Sequence, residues 1–492
     1  MSHLDDVHML SPADDIGVVL AEGGRIPRGH KIAVRAVPKG QPVFKYGHVI
    51  GMASQDIAVG DHVHGHNLAY ARGSSAPTGA SEIGNLPGSS RSTFLGIRRP
   101  DGRIATRNVI AIVATVNCSA TVCQRIAEKA IREGFLDTFP AIDAIVPVTH
   151  ASGCGLSEDG ENLRRLRRTL AGYASHANVG GVLVVSLGCE VNQMTDFVPS
   201  IPQVEGLNVI GVSIQEVGGT RRAIDVGVAA VRDLADRMAK PEREPISVDQ
   251  LVLGLNCGGS DGWSGITANP ALGVASDMLV SLGGRSVLAE TPEIYGAEDL
   301  LLNRAASEAV SDRLRSVVAR WEERAAATGE SLDNNPSPGN KAGGITTILE
   351  KSLGAVAKAG HAPLSAVYEY AERISTPGLG FMDTPGYDPV SVTGLIAGGA
   401  NVVAFTTGRG SALGYGIVPV IKIATNSQLY EAMRDDMDLN AGDIIDEGIS
   451  VAEKGKELFE LICDTASGAR TKSEQLGYGS QEFVPWLSGP VF

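Results

Sequence analysis

No apolar run in this chain of 492 residues approaches the roughly 20 residues that a membrane span requires. The opening "MSHLDDVHML" lacks the basic and apolar regions of a signal peptide, so none is expected. Basic charge is not in excess either. Fifty-six acidic side chains against 42 basic ones leave a net charge of −14, which offers no electrostatic footprint for nucleic acid. Cysteine is scarce. Six cysteines without a secretion signal point to a reducing cytoplasm, where thiols are more often buried, metal-binding or catalytic than disulfide-bonded. Neither a GxGxxG following the first strand of an α/β part nor a GxxxxGK[ST] occurs, which argues against dinucleotide and P-loop chemistry.

Glycine, by contrast, is plentiful, with 60 residues that suit tight strand–loop–helix connections. Residues 1–70 read as short β segments: "KIAVRAV", "QPVFKYGHVIGMA" and "DIAVGDHVHGHNL" are separated by Gly and Pro turn signals. Residues 71–93, rich in Ser, Gly, Ala and Pro, read as a linker. From Phe94 the texture becomes α/β. Near-continuous apolar strands such as "NVIAIVATV" and "GGVLVVSLG" alternate with amphipathic helices, the pattern of parallel sheets covered on both faces. A second such set begins at "QLVLGLN", with "AKPEREPISV" between the two. The expected domains are therefore residues 1–70, 94–245 and 246–492, with 71–93 joining the first two.

Four of the six cysteines close apolar runs. "NVIAIVATVN" leads to Cys118, "AIVPVTHASG" to Cys154, "VLVVSLG" to Cys189 and "LVLGLN" to Cys257. Ligands of open α/β sheets bind outside the carboxyl ends of strands, so these four are expected to converge in one pocket. The plain alternative is four small buried hydrophobes. Thiolates suit soft or borderline metals, including iron, and Glu190 and His150 offer harder ligands. The spacings match neither a CxxC zinc site nor a ferredoxin run, so any metal must be assembled by the fold.

Three glycine-rich loops carry polar heads: residues 257–273 with Ser260, Asp261 and Asn269, residues 335–344 with Asn340 and Lys341, and residues 405–416 with Arg409. Such an array suits a polyhydroxylated anion, with Arg409 or Lys341 on a carboxylate and the Asn and Ser side chains on hydroxyls. In "DHVHGHN", His62, His64 and His66 recur at period 2, which on a strand puts all three on one face. His64 and His66 are candidates for acid–base work near neutral pH, with a solvated edge as the alternative.

The pieces "GHKIAV", "KYGHVIG", "HVHGHN", "GLNCGGSDGWSGITANPALG", "ETPEIYGAE", "NPSPGNKAGGITTILEKSLG" and "FTTGRG" resemble the altronate/galactarate dehydratase family over almost the whole length. The resemblance implies an N-terminal β-clip, SAF-like module, a linker, and α/β parts that include a Rossmann-like variant. It implies dehydration of a sugar acid such as D-altronate to a 2-keto-3-deoxy acid, aided by Fe2+ or another divalent metal such as Mn2+, in a homodimer. "HVHGHN" looks closer to the altronate than the galactarate branch. Under this reading Cys118, Cys154, Cys189 and Cys257, with Glu190 or His150, hold the metal. Lys341 and Arg409 hold the carboxylate, and His64, His66, His150 and Lys341 are the acid–base candidates. An iron–sulfur cluster on three of the cysteines is the alternative cofactor. Alternative activities are galactarate dehydratase or a sulfolactate sulfo-lyase-type lyase. A non-catalytic carbohydrate-binding protein and a nicotinamide-dependent oxidoreductase are the rivals from other classes.

Overall fold

The computed structural model describes residues 6–71, 86–88, 91–238 and 241–488. Most of the expected linker, residues 71–93, lies outside the described residues. No helix among those described is long and apolar enough to cross a membrane.

The N-terminal segment forms two small antiparallel sheets. Val7–His8, Ile16–Val19, Lys31–Ala33 and His62–Val63 make one, and Pro42–Lys45, His48–Ala53 and Leu68–Ala69 the other. Ile16, Ala33, Val43, Ile50, Ile57, Val63 and Leu68 form its core. The expected small all-β module is thus present. The histidine segment is not one extended strand, however. The strand ends at Val63, and the chain turns back so that Asn67 N and Leu68 N both donate to His64 O. The turn, rather than a two-residue period, brings the imidazoles together.

The body contains two parallel sheets, as the near-continuous apolar runs predict. In the first, four strands lie in the order Ala144–Val148, Val109–Ala114, Val179–Ser186, Asn208–Ser213. Helices Asn117–Arg132 and Thr220–Arg237 pack on one face around Ile126, Leu183 and Val231. Helix Glu161–Ala174 packs on the other through Leu163, Leu166 and Leu170. In the second sheet, seven strands run in the order Leu364–Tyr368, Gly378–Met382, Arg285–Leu288, Val252–Cys257, Val402–Thr407, Val420–Ala424, Leu439–Asn440. The stretch "AKPEREPISV" contains a strand, Arg243–Ser247. It pairs antiparallel with Thr93–Arg98, so the entry and exit of the middle region are zipped together.

The two sheets share one core. Helix Glu161–Ala174 lies against helix Asp388–Ala397 of the seven-stranded part, and Tyr173, Leu395 and Ile396 belong to one apolar cluster. The amino ends of the sheets also abut: Thr106 Oγ1 donates to Asn401 O at 2.8 Å, and His176 Nε2 donates to Ala400 O at 3.1 Å. Near the carboxyl edges, Arg165 of helix Glu161–Ala174 lies over Trp486, which stacks on Trp321, whose Nε1 donates to Asp383 Oδ1 just past strand Gly378–Met382, so both carboxyl edges face the same side of the molecule.

Close approach of the two helices depends on Gly172, where an added Cβ would fall 2.3 Å from Ala397 O. Gly172→Val should therefore lower stability by about 1–3 kcal/mol through overpacking. Chemical denaturation of the variant and the parent checks this.

Candidate active site

In the seven-stranded sheet the strand order reverses between Val252–Cys257 and Val402–Thr407. A ligand crevice is expected outside the carboxyl ends at such a switch point. The three glycine-rich loops meet there. Gly408 N donates to Gly259 O at 3.1 Å, Gly262 N to Gly343 O at 2.7 Å, and Asn340 Nδ2 to Ser260 O at 2.8 Å. Buried Asp261 is the hub, accepting from Trp263 N, Ser264 N and Oγ, Thr425 Oγ1 and Asn426 Nδ2. Burial nevertheless raises the Asp261 carboxyl above its ordinary range. Asn269 joins Thr406 Oγ1 to Gly354 O, and Asn340 caps the short helix Pro338–Ala342. Asp261, Asn269 and Asn340 therefore hold the loops. Lys341 and Arg409 are exposed, and neither forms an ion pair among the described residues.

The N-terminal module docks on this assembly. Lys31 and Lys45 are fully buried and share one carboxylate, Glu350: Lys31 Nζ lies 2.8 Å and Lys45 Nζ 2.7 Å from its oxygens. Burial opposes ionisation of Glu350, but the two ammonium groups outweigh it and hold the carboxyl down at about 2. Lys31 pays for the sharing, since burial, only partly offset by Glu350, brings it to about 8. Tyr46, at φ 61°, forms the hairpin turn, its N–H donating to Asp14 Oδ2. Its ring lies beside Lys45 and lines a small cavity with Ser260, Asp261, Asn269, Glu350 and Lys351.

Beside these groups four imidazoles cluster, His30, His62, His64 and His66, with ring centroids 5.2–5.7 Å apart. Their tautomers follow from their acceptors. His64 Nε2 faces Lys341 O at 2.9 Å, and His30 Nε2 faces Ala342 O at 3.2 Å. Carbonyls only accept, so both Nε2 atoms carry hydrogen. His64 Nδ1 keeps its lone pair, and His30 Nδ1 accepts from His62 Nε2 at 3.1 Å. Burial lowers His30 and His64, and burial with the neighbouring imidazoles brings His62 to about 4.

Beneath the loops lies a buried charged cluster. Cys257 Sγ is 3.2 Å from Glu293 Oε2 and 3.8 Å from Glu290 Oε2, and these three residues bring one ligand atom each within 4.8 Å of one another. Lys358 Nζ donates to Cys257 Sγ at 2.6 Å, and Lys351 pairs with Glu293 at 2.6 Å. Burial pushes the Cys257 thiol and the Glu290 carboxyl well up. For Glu293 burial works the same way, but Lys351 and Lys358 outweigh it and hold the carboxyl low. Glu290 Oε1 is buried without a hydrogen-bond partner. The mixed sulfur and oxygen donors and this orphaned oxygen fit a borderline divalent metal ion, although the two lysines already bring positive charge to the same atoms.

The other expected metal ligands lie elsewhere. Cys118, Cys154 and Cys189 are exposed at the carboxyl edge of the four-stranded sheet, whereas Cys257 is buried at the end of a strand in the other sheet. Among the described residues these four thiols do not gather as one set of ligand atoms within 4.8 Å, and the strands that position them belong to different sheets. His150 and Glu190 sit with the first three but are engaged. His150 Nε2 donates to Ala114 O and its Nδ1 accepts from Ser152 N, leaving neither nitrogen free for a metal or a proton transfer. Glu190 accepts from Thr115 Oγ1, Leu187 N and Gly188 N.

Sequence reasoning passed over Lys31, Glu290, Glu293, Glu350, Lys351 and Lys358. One signal was available: "ITTILEKSLG" sets an adjacent Glu and Lys inside an apolar helix, where charges are buried only with partners.

Family models match three consecutive regions. The altronate/galactarate dehydratase SAF domain covers residues 7–71, the D-galactarate dehydratase/altronate hydrolase second domain residues 96–239, and the D-galactarate/altronate dehydratase C-terminal domain residues 248–491. Altronate dehydratase of Bacillus subtilis (strain 168) is 36% identical over 471 residues, 93% of this chain and 91% of that protein. Altronate dehydratase of Escherichia coli (strain K12) is 36% identical over 460 residues, 92% and 90% of the two chains. Galactarate dehydratase (L-threo-forming) of the same organism is 36% identical over 469 residues, 93% and 89%.

Glu350→Gln leaves two buried ammonium groups without a carboxylate. It should cost about 3–5 kcal/mol and loosen the module, measured by denaturation and by limited proteolysis of residues 6–71. The Glu350 pKa falls on folding from 4.5 to about 2, so its contribution is present in full above about 4.5. It should be lost as pH falls through about 2, and the Gln variant should lack this part of the acid transition.

Proposed function

The chain belongs to the D-galactarate/altronate dehydratase family, and from that premise we propose that it removes water from a sugar acid such as D-altronate, giving a 2-keto-3-deoxy acid. The reaction is assigned to the crevice between the glycine-rich loops and the docked module. One observation carries the reading: the ring of His64 is held through Nε2 on the carbonyl of Lys341, in the turn that is hydrogen-bonded through Gly343 to the Asp261 loop, and this tautomer leaves the lone pair on Nδ1. Arg409 follows the other strand of the same switch point. A base and two cations that form no ion pair among the described residues thus stand on elements that meet at one switch point.

Dehydration begins with loss of the proton α to the carboxylate. Burial first, and then Lys31 and His66, keep His64 below its ordinary pKa, so at neutral pH it is an uncharged imidazole able to accept that proton at Nδ1. The α proton is weakly acidic, and Arg409 and Lys341 offset the charge that builds on the carboxylate oxygens. His66, exposed beside His62, is the candidate donor to the departing β-hydroxyl. Docking of the module excludes water and strengthens each of these interactions. Cys257, Glu290 and Glu293 would hold a divalent ion, with ferrous iron or manganese as the candidates, and such an ion would supply Lewis-acid stabilisation when bound. The six unpaired cysteines suit a reducing cytoplasm, and a homodimer completes the proposal.

Incubated anaerobically with ferrous iron, the protein should convert altronate to a 2-keto acid, with galactarate and sulfolactate as parallel substrates. No keto acid from any of them would overturn the reading, and preference for galactarate would reassign the substrate.

His64→Ala should lower kcat by about 10²–10⁴-fold with little change in KM. In the parent, kcat/KM should fall as pH drops through a value below 6.5, where His64 becomes protonated, and the variant should lack that limb.

A further inference from the structure

A second switch point carries the three thiols that the crevice leaves aside. In the four-stranded sheet the strand Val109–Ala114 is flanked by Ala144–Val148 on one side and Val179–Ser186 on the other. The ligand position for this order lies outside the carboxyl ends of the first and third strands in sequence, between the loops bearing Cys118 and Cys189. Cys154 lies on the adjoining loop. All three are free and exposed, although cysteine is among the residues most often fully buried.

The loops are tied into one rim. Asn117 N donates to Ser152 O at 2.8 Å, Asn192 N to Gly153 O at 3.0 Å, and Asn192 Nδ2 to Thr115 O at 3.0 Å. His150 and Glu190 brace the same rim from beneath. Cys154 and Cys189 each follow a glycine in the left-handed region, Gly153 at φ 102° and Gly188 at φ 125°. A Cβ on Gly153 would fall 2.3 Å from Thr115 O, so the Cys154 loop can lie on the Cys118 loop only with glycine there.

We infer that Cys118, Cys154 and Cys189 bind an iron–sulfur cluster of the cubane class, three irons held by these thiolates and the fourth open to a non-protein ligand. The donor set is sulfur alone, because the imidazole and carboxylate beside it are spent on backbone and hydroxyl partners, and thiolates are the ligands of such clusters. Spacing argues against a single ion. Metal–thiolate bonds of about 2.3 Å bring tetrahedral ligands to roughly 3.8 Å from one another. Among the described residues only the Cys257 group gathers three ligand atoms within 4.8 Å, so the three thiols stand wider than one ion draws them. Helix Asn117–Arg132 begins at this rim and turns its positive end toward an anionic cluster. The open iron would face the same side of the molecule as the sugar-acid crevice. This inference goes beyond the dehydratase reading, and its readouts do not depend on turnover.

The test is reconstitution of the full chain under anaerobic conditions with ferrous iron, sulfide and a thiol reductant. About four acid-labile sulfides per chain are expected, with about four irons beyond any ion held at Cys257, Glu290 and Glu293, and a broad visible absorbance that bleaches in air. Cys118→Ser, Cys154→Ser and Cys189→Ser should each lose most of both, while Cys257→Ser keeps its sulfide. The three thiols lie outside the core, so circular dichroism of the apo variants should match the parent. In the parent, iodoacetamide should label Cys118, Cys154 and Cys189 before reconstitution and not after it. Absence of sulfide after reconstitution, one metal ion per chain without sulfide, or undiminished iron and sulfide in the three variants would overturn the inference. Loss of sugar-acid turnover with the cluster intact would count against the dehydratase reading alone.

Discussion

One carboxylate between two buried lysines ties the N-terminal module to the body of this protein. Lys31 and Glu350 are 319 residues apart in sequence, yet their charged atoms lie 2.8 Å apart with essentially no exposure. Charges are buried at a cost of several kcal/mol each unless they are paired, so the geometry permits little sliding of the module over the body. A hydrophobic contact of the same area would tolerate other angles of approach. The shared carboxylate selects one, and that orientation sets His64 on Lys341 O and His30 on Ala342 O.

The same economy governs the crevice. Most of its conspicuous polar side chains serve the loops rather than the solvent. Asp261 gathers donors from its own loop and from Thr425 and Asn426, and Asn269 and Asn340 tie further loops to it. Glycine-rich loops lose more backbone entropy on ordering than others, and these hydrogen bonds offset part of that loss. Among the described residues the Lys341 and Arg409 cations form no ion pair, and they remain for a ligand together with the Nδ1 lone pair of His64. Beneath them the Cys257, Glu290, Glu293, Lys351 and Lys358 cluster keeps a dense set of charges out of water.

Two parallel sheets with a shared core give the molecule two switch points on one side. The order of strands, rather than any local motif, decides that a ligand position lies between strands 109–114 and 179–186 in one sheet and between 252–257 and 402–407 in the other. Residues at these edges converge from distant parts of the chain, which is why similar strand–cysteine patterns ended in different surroundings.

The sequence by itself determined the small β module, the parallel-sheet body and the family. Fully buried strands write themselves as continuous apolar runs such as "VLVVSLG" and "VVAFTT", and the long glycine-rich motifs are specific. It also identified the cysteines at strand ends and the three loops that meet. Only the tertiary structure decided which of these residues meet which. It parted Cys257 from Cys118, Cys154 and Cys189, because strand order assigns them to different sheets. It turned the histidine segment back on itself at His64, where period-two reasoning assumed a straight strand. It spent His150 and Glu190 on loop bracing, and joined Lys31 and Lys45 to Glu350. A one-dimensional pattern reports which residues are apolar and where strands end, but the pairing of buried charges and the partners of each polar atom depend on contacts between residues hundreds of positions apart.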